Sequence, residues 1–262
     1  MVTVIGGEYK MHGLSIKWGM VFFLLMWPVI SAANSLLIWP IYPKILANQK
    51  ATSVWIENRG RNTAFLQVRI FRWDQRDGQD IFATQTQLLA TPPFVQIPAG
   101  EKQLIRVIDQ TLENQTQEYA FRVLIDELPP LRPPGQPEDQ HSRMGVNIRM
   151  RYSLPLFVYG KGFAEAGAQR IATPSLQAWL VTEAGEHYLR IWNHGRYHVR
   201  LTNMDVSTDE NSAQFSIPGL AGYILPNQYR QWPISSVAFS GTRLSFELYG
   251  TRYTIPLNRD AS

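Results

Sequence analysis

The chain has 262 residues, 45% hydrophobic and 18% charged, with no cysteine and a formal net charge of +4. That is enough apolar residue for one large or two ordinary cores, and the absence of thiols excludes disulfides, cysteine–zinc sites and thiol catalysis. Lysines and arginines are scattered rather than clustered, which argues against nucleic-acid binding, while 8 Trp, 11 Tyr and 12 Phe favour sheet over helix.

Residues 1–33 read as a secretory signal peptide. Lys10 and Lys17 precede an apolar run at 19–30, and Ser31-Ala32-Ala33 supplies small residues for cleavage after Ala33. Met11 is an alternative start, because residues 1–10 add nothing to such a signal. The apolar run is shorter than the roughly 20 residues a membrane span requires, and no other stretch is apolar enough, so stable membrane insertion is not expected.

From Asn34 onward short apolar runs recur between turn residues. Strands are predicted at 35–39, cut by Pro40; at 51–57, ending in Asn58-Arg59-Gly60; and at 64–73, leading to Asp77-Gly78, a strong hairpin signal. Further strands are predicted at 94–97, 103–108 and 118–127, with breaks at Thr91-Pro92-Pro93 and Pro98-Ala99-Gly100. Residues 129–143 carry repeated prolines and charges with no apolar period and read as a long mobile loop.

The stretch 145–159 organises the chain. Val146, Ile148, Met150, Tyr152 and Leu154 alternate with Asn147, Arg149, Arg151 and Ser153, the pattern of a strand with one apolar face. Pro155 lies inside it and cannot donate a ladder hydrogen bond, so an edge strand or a bulge is predicted. Proteins normally blunt a long edge with an apolar row; left open, it is displayed for another chain to pair with.

Residues 161–173, rich in Gly and Ala, read as a linker. Beyond it strands are predicted at 177–182, 187–192 and 197–205, the last two joined as a hairpin through 193–196. Weaker strands follow at 215–217, 221–225 and 229–234, then 243–249 and 251–257 around Gly250. No segment holds a helical period. The reading is all-β, with two sandwiches at 34–160 and 174–262.

Candidate chemical sites are weak. Asp74, Asp77 and Asp80 fail the alternate spacing of a calcium loop and read as a solvated hairpin tip. His187, His194 and His198 have no paired carboxylate and read as surface histidines. Asp126 and Glu127 are adjacent in a strand and point to opposite faces, a poor acid/base pair. No nucleophile elbow, phosphate loop or dinucleotide fingerprint occurs, so neither catalysis nor a cofactor is expected. Trp39, Trp55, Trp73, Trp179, Trp192 and Trp232 are read as sandwich core; as a sugar platform they would instead mark a secreted carbohydrate-binding β-sandwich module, the alternative reading.

Several segments together resemble the periplasmic chaperones of the chaperone–usher pilus pathway. They are Trp39-Pro40, Trp55-Ile56-Glu57-Asn58, Ala90-Thr91-Pro92-Pro93, Ile97-Pro98-Ala99-Gly100, Gln103-Leu104-Ile105-Arg106-Val107, Leu128-Pro129-Pro130, Tyr152-Ser153-Leu154-Pro155-Leu156-Phe157, Leu225-Pro226-Asn227 and Arg230-Gln231-Trp232-Pro233. Phe71-Arg72-Trp73 and Leu124-Ile125-Asp126-Glu127-Leu128 are more similar to the archaic, non-classical branch. The resemblance implies two immunoglobulin-like domains set at an angle, location in the periplasm, and pilus subunits and an outer-membrane usher as partners. It also implies that the strand at 145–159 completes a subunit sandwich that lacks its last strand, with Val146, Ile148 and Met150 as the donor side chains. Tyr152, Leu154 and Leu156 are then expected in the chain's own core, with residues 36–39 as the other lip of the groove. The family's two basic anchors for the subunit's terminal carboxylate fall here near Tyr42 and at Pro155, neither of them basic. Arg106 and Arg122 are the expected substitutes, while Arg149 and Arg151 are expected to face solvent.

Overall fold

Alternating apolar residues set the two faces of most strands. The structure, a computed structural model, describes residues 36–111, 116–129, 149–163, 175–208 and 213–259. The expected signal peptide, nearly all of the proline-rich loop, Val146, Ile148 and most of the expected linker lie outside the described residues.

The first domain holds β1 (Leu36–Trp39), β2 (Lys44–Ile45), β3 (Ala51–Asn58), β4 (Ala64–Arg76), β5 (Gln79–Ala83), β6 (Leu88–Thr91), β7 (Phe94–Ile97), β8 (Lys102–Asp109), β9 (Glu118–Leu128) and β10 (Arg151–Tyr159). One sheet runs β1-β3-β8-β6; the facing sheet runs β2-β10-β9-β4-β5, with β7 on β4. Every second residue of the central strands enters the core: Val54 and Ile56, Leu66 and Val68, Ile105 and Val107, Phe121, Val123 and Ile125, then Leu154, Leu156 and Val158. The chain leaves β1 through a cis Trp39–Pro40 bond and rejoins as β2 in the other sheet, parallel to β10.

The second domain holds β11 (Leu176–Glu183), β12 (Glu186–Asn193), β13 (Val199–Ser207), β14 (Ala213–Ile224), β15 (Gln228–Pro233), β16 (Arg243–Leu248) and β17 (Thr251–Arg259), in the order β14-β13-β16-β17-β11-β12-β15. One strand joins the two layers: β17 pairs antiparallel with β16 over its first part and parallel with β11 from Leu257. The expected hairpin at 193–196 is instead a crossing between layers, because β12 pairs with β11 and β15 whereas β13 pairs with β14 and β16. Its turn is shaped by Asn193, whose amide donates to Tyr197 O and Ile224 O while its side-chain oxygen accepts from Gly195 N. Asn58 does the same in the first domain, donating to Asn62 O and Ile97 O and accepting from Gly60 N. Such buried amides persist only when satisfied.

Asp77 and Gly78 form the expected two-residue turn, both with positive φ (49° and 72°). The tip is solvated only in part: Asp77 is exposed as expected, whereas Gly78 is buried and Asp80 is engaged by other groups. A Cβ on Gly78 would lie 2.7 Å from Gln231 Cγ of the second domain. The Asp80 carboxylate accepts from Trp73 Nε1 (3.0 Å) and Gln75 Nε2 (2.9 Å) within the first domain and from the Arg230 guanidinium (2.9 Å) of the second. Buried Gln75 also donates to Tyr223 O and accepts from Leu225 N. Trp73, Ala120, Phe157, Tyr159, Phe163, Tyr223 and Leu225 form an apolar cluster at this junction. The outer face of β4, β9 and β10 is thus covered by the other domain at this end, which is why β10 is buried on both faces from Leu154 on although its inner row alone was predicted to be core.

Asp80→Ala strands three donors in a partly buried site. Its expected cost is about 2–3 kcal/mol in urea unfolding, with loss of a single coincident transition as the domains uncouple.

Candidate functional site

Strand β10 is hydrogen-bonded along its whole length to β9, from Arg151↔Asp126 to Tyr159↔Glu118. Its other edge meets only β2, at Phe157 and Val158, so among the described residues no strand pairs with it from Arg151 to Leu156. The ladder shows which groups face that edge. Glu127 N–H donates to Met150 O and Gly160 N–H to Gln117 O, both at 3.0 Å, so even-numbered residues of β10 direct their main-chain groups to β9. Phe157 N–H instead donates to Pro43 O at 3.4 Å on the far side. Arg151, Ser153 and Pro155 share that parity and turn outward.

Between this edge and β1 runs a groove of about 280 Å³, walled by Ile38, Ile41 and Tyr42 on one side and Tyr152, Ser153, Leu154 and Pro155 on the other, with Arg122, Leu220 and Tyr223 also lining it. Among the described residues β1 pairs only with β3, so it forms the second lip. Tyr152 packs on the core beside buried Leu154 and Leu156, whereas Met150, next in the same row, is 44% exposed. Met150 is the last of that row among the described residues, and it stands clear of the core that covers Tyr152 and Leu154.

Arg122 lies across from Pro155 and contributes the cation of the groove. Its guanidinium sits 3.8 Å from the Trp73 ring centroid, and Nε is buried without a hydrogen-bond partner. Burial pulls its pKa below the ordinary arginine value, and the Asp80 charge opposes that fall. A guanidinium remains charged, so such a group gains by receiving an anion. Arg200, on β13, also has a buried unpartnered Nε; its guanidinium lies over the Tyr42 ring at 5.4 Å. Tyr223 faces both Tyr42 and Arg200; its phenol is pushed up by burial and by the Tyr42 hydroxyl, and Arg200 counteracts. Arg200 escaped the sequence reading because it comes from the other domain, at an ordinary polar position between buried Val199 and Leu201.

The two arginines expected to act together are not brought together. Arg106 is exposed on the outer face of β8, between buried Ile105 and Val107, and does not line the groove. Arg151 is exposed but not free: with Arg69 it brackets the Asp126 carboxylate at the start of β10. His198, expected at the surface, is buried, stacked on Phe157 at 3.5 Å, with Nδ1 3.0 Å from Glu118 Oε1. His187 and His194 stack on Phe239 and Trp192, and no metal-binding cluster occurs among the described residues. Trp39 and Trp55 stack on each other at 6.3 Å, and Trp55 is exposed rather than core. Among the described residues no helix is long and apolar enough to cross a membrane.

The profile of the Pili and flagellar-assembly chaperone, PapD N-terminal domain, matches residues 42–163. The chaperone in the CsuC–CsuE chaperone–tip adhesion subunit pre-assembly complex, from the archaic chaperone–usher Csu pili of Acinetobacter baumannii, is similar at 30% identity. The match covers 86% of this chain and 99% of that one, with a TM-score of 0.65. The YadV chaperone shares the fold at 19% identity (TM-score 0.59; 85% and 99% of the two chains). So does the structure of the Salmonella enterica SafA pilin with the SafB chaperone, at 15% identity (TM-score 0.60; 86% and 97%). No curated protein matches the chain.

Burial alone would raise the pKa of Asp126, but its hydrogen bonds to Arg151 and Arg69 hold it below the usual carboxylate value. A lowered folded pKa contributes stability that is present above the unfolded value, about 4, and is lost as pH falls through the folded one. Acidification below about pH 4 is therefore expected to lower the amide protection factors at the start of β10, and Asp126→Asn to produce the same change at neutral pH.

Proposed function

Because the chain belongs to the pilus-assembly chaperones of the chaperone–usher pathway, we propose that it binds and caps pilus subunits by donor-strand complementation and delivers them to an outer-membrane usher. The observation that carries this reading is the one-sided ladder of β10 beside an apolar groove. A subunit that lacks its last strand has the complementary defect, and strand addition satisfies both: main-chain bonds supply affinity, and alternate side chains fill pockets. This mode of recognition is established for chaperone–pilin pairs.

Val146, Ile148 and Met150 are the donor side chains, continuing the inner row past the point where Tyr152 enters the chaperone's own core. Burying each would stabilise the complex by about 1.5–3 kcal/mol. Arg122 receives the subunit's terminal carboxylate, since it is the cation in the groove and its buried Nε lacks a partner. Arg106 drops out of this role because of its outward position. The protein works in the periplasm without nucleotide or other cofactor and performs no catalytic step. The carbohydrate-binding alternative asks for aromatics on loops, whereas Trp39 and Trp55 stack from paired strand positions.

The test is co-expression with a candidate subunit. A soluble one-to-one complex is expected, and a double change of Ile148→Asp and Met150→Asp should abolish it while the free chaperone still folds. A complex that survives would remove the donor-strand assignment. Arg122→Met, which keeps the bulk and removes the charge, should weaken binding about 10- to 100-fold, and the same loss should follow amidation of the subunit's C-terminus.

A further inference from the structure

Proline within a strand ordinarily forfeits a ladder bond. Here it forfeits none within the chain, because Pro155 belongs to the outward-facing set, while Leu154 and Leu156 carry the bonds to β9. The missing donor falls on the open edge. Reading along that edge, Arg151 and Ser153 each present an N–H and a C=O, Pro155 presents only a C=O, and the next outward N–H, that of Phe157, is taken by Pro43 O. The edge therefore ceases to donate at Pro155. At that point Tyr42, Tyr223 and Arg122 line the groove, and Arg122 is the cross-strand partner of Pro155 on β9.

We propose that Pro155 is a register stop: it ends the main-chain ladder of the client strand one step before the cleft and so places the client's last residues at Arg122. This rests on the reading of the chain as a donor-strand chaperone. A client whose carboxylate reaches Arg122 runs parallel to β10. Its carbonyls find donors at Arg151 and Ser153 and none at Pro155, so sliding deeper leaves a client carbonyl unbonded in a largely dry cleft. Sliding outward leaves the Ser153 donor unused and pulls the carboxylate away from Arg122. A slip of one residue would turn every client side chain to the wrong face. The stop and the cation together select one register, and Tyr42, placed against Arg200 and Tyr223, closes the end of the track.

The chain contains no cysteine, which allows the register to be mapped by disulfide formation. Arg149→Cys supplies the reporter on the exposed donor segment, paired with single cysteines at successive positions near the client's C-terminus. With Pro155 intact, cross-linking should concentrate at one client position. Pro155→Ala restores an outward N–H, so cross-linking should spread to a position about two residues further, the smallest slip that preserves the faces. Ser153→Pro should shift it the opposite way and weaken the complex about three- to tenfold through the lost bond. The outward N–H of Ser153 pairs with no strand among the described residues, so this second variant reports even where Pro155→Ala disturbs the buried cleft; thermal unfolding of each free variant checks the fold. The same single position in all three proteins would overturn the register stop and leave the donor-strand reading standing. Failure of the unaltered chaperone to bind any subunit would overturn both.

Discussion

Phe157 fixes where β10 stops being an edge. Its ring lies 3.5 Å from His198 in a parallel stack, 6.0 Å from Trp73 and 6.2 Å from Tyr223, so one side chain of the first domain is enclosed by aromatics of both. Aromatic pairs of this kind add to ordinary area burial, and here they also cover the outer face of the strand. From Leu154 onward β10 is interior on both sides; before it, Arg151 and Ser153 are exposed, and among the described residues no strand pairs with that edge. Without the second domain at Phe157 the whole of β10 would be half-exposed, and no boundary would separate its interior part from its edge.

The cleft that opens beyond this boundary is electrostatically incomplete. Arg122 and Arg200 come from different domains, each with a buried Nε that has no hydrogen-bond partner. Ring faces partly offset the loss of water: Trp73 under Arg122 and Tyr42 under Arg200. A cation over a ring keeps its N–H donors available, which a carboxylate partner within the chain would not allow. The nearest acidic group, Asp80, is engaged by Trp73, Gln75 and Arg230, so it tempers the charge of Arg122 without consuming its donors.

Much of this was legible in the sequence, for local reasons. Period two in 118–127 and 152–158 gave the central strands, and Asp77-Gly78 gave the hairpin, because both follow from steric rules within a few residues. Residues whose environment is supplied from afar were misread. Asp80 and His198 looked solvated, and their burial depends on the second domain folding back onto the first. The crossing at 193–196 has the local spacing of a hairpin, and the amide of Asn193 that directs the chain to the other layer is satisfied by Ile224, a contact invisible in that spacing. Arg106 and Arg122 were equivalent on paper; only the facing of β8 and β9 separates an outer sheet surface from a groove wall. Pro155, which in the sequence predicts an edge strand or a bulge, lies on such an edge, with its missing donor on the side away from β9.

The contact between Gly78 and Gln231, backed by the Asp80 and Gln75 bonds, has a bearing on how a bound chain could leave. A receptor that is already rigid has little ordering entropy to lose on association, and equally it has no soft hinge by which to pry its cargo loose. On the donor-strand reading proposed above, dissociation is then driven from the cargo's side, by something that occupies the same pockets more favourably, and the interdomain lock makes the molecule a mould that its cargo's successor empties.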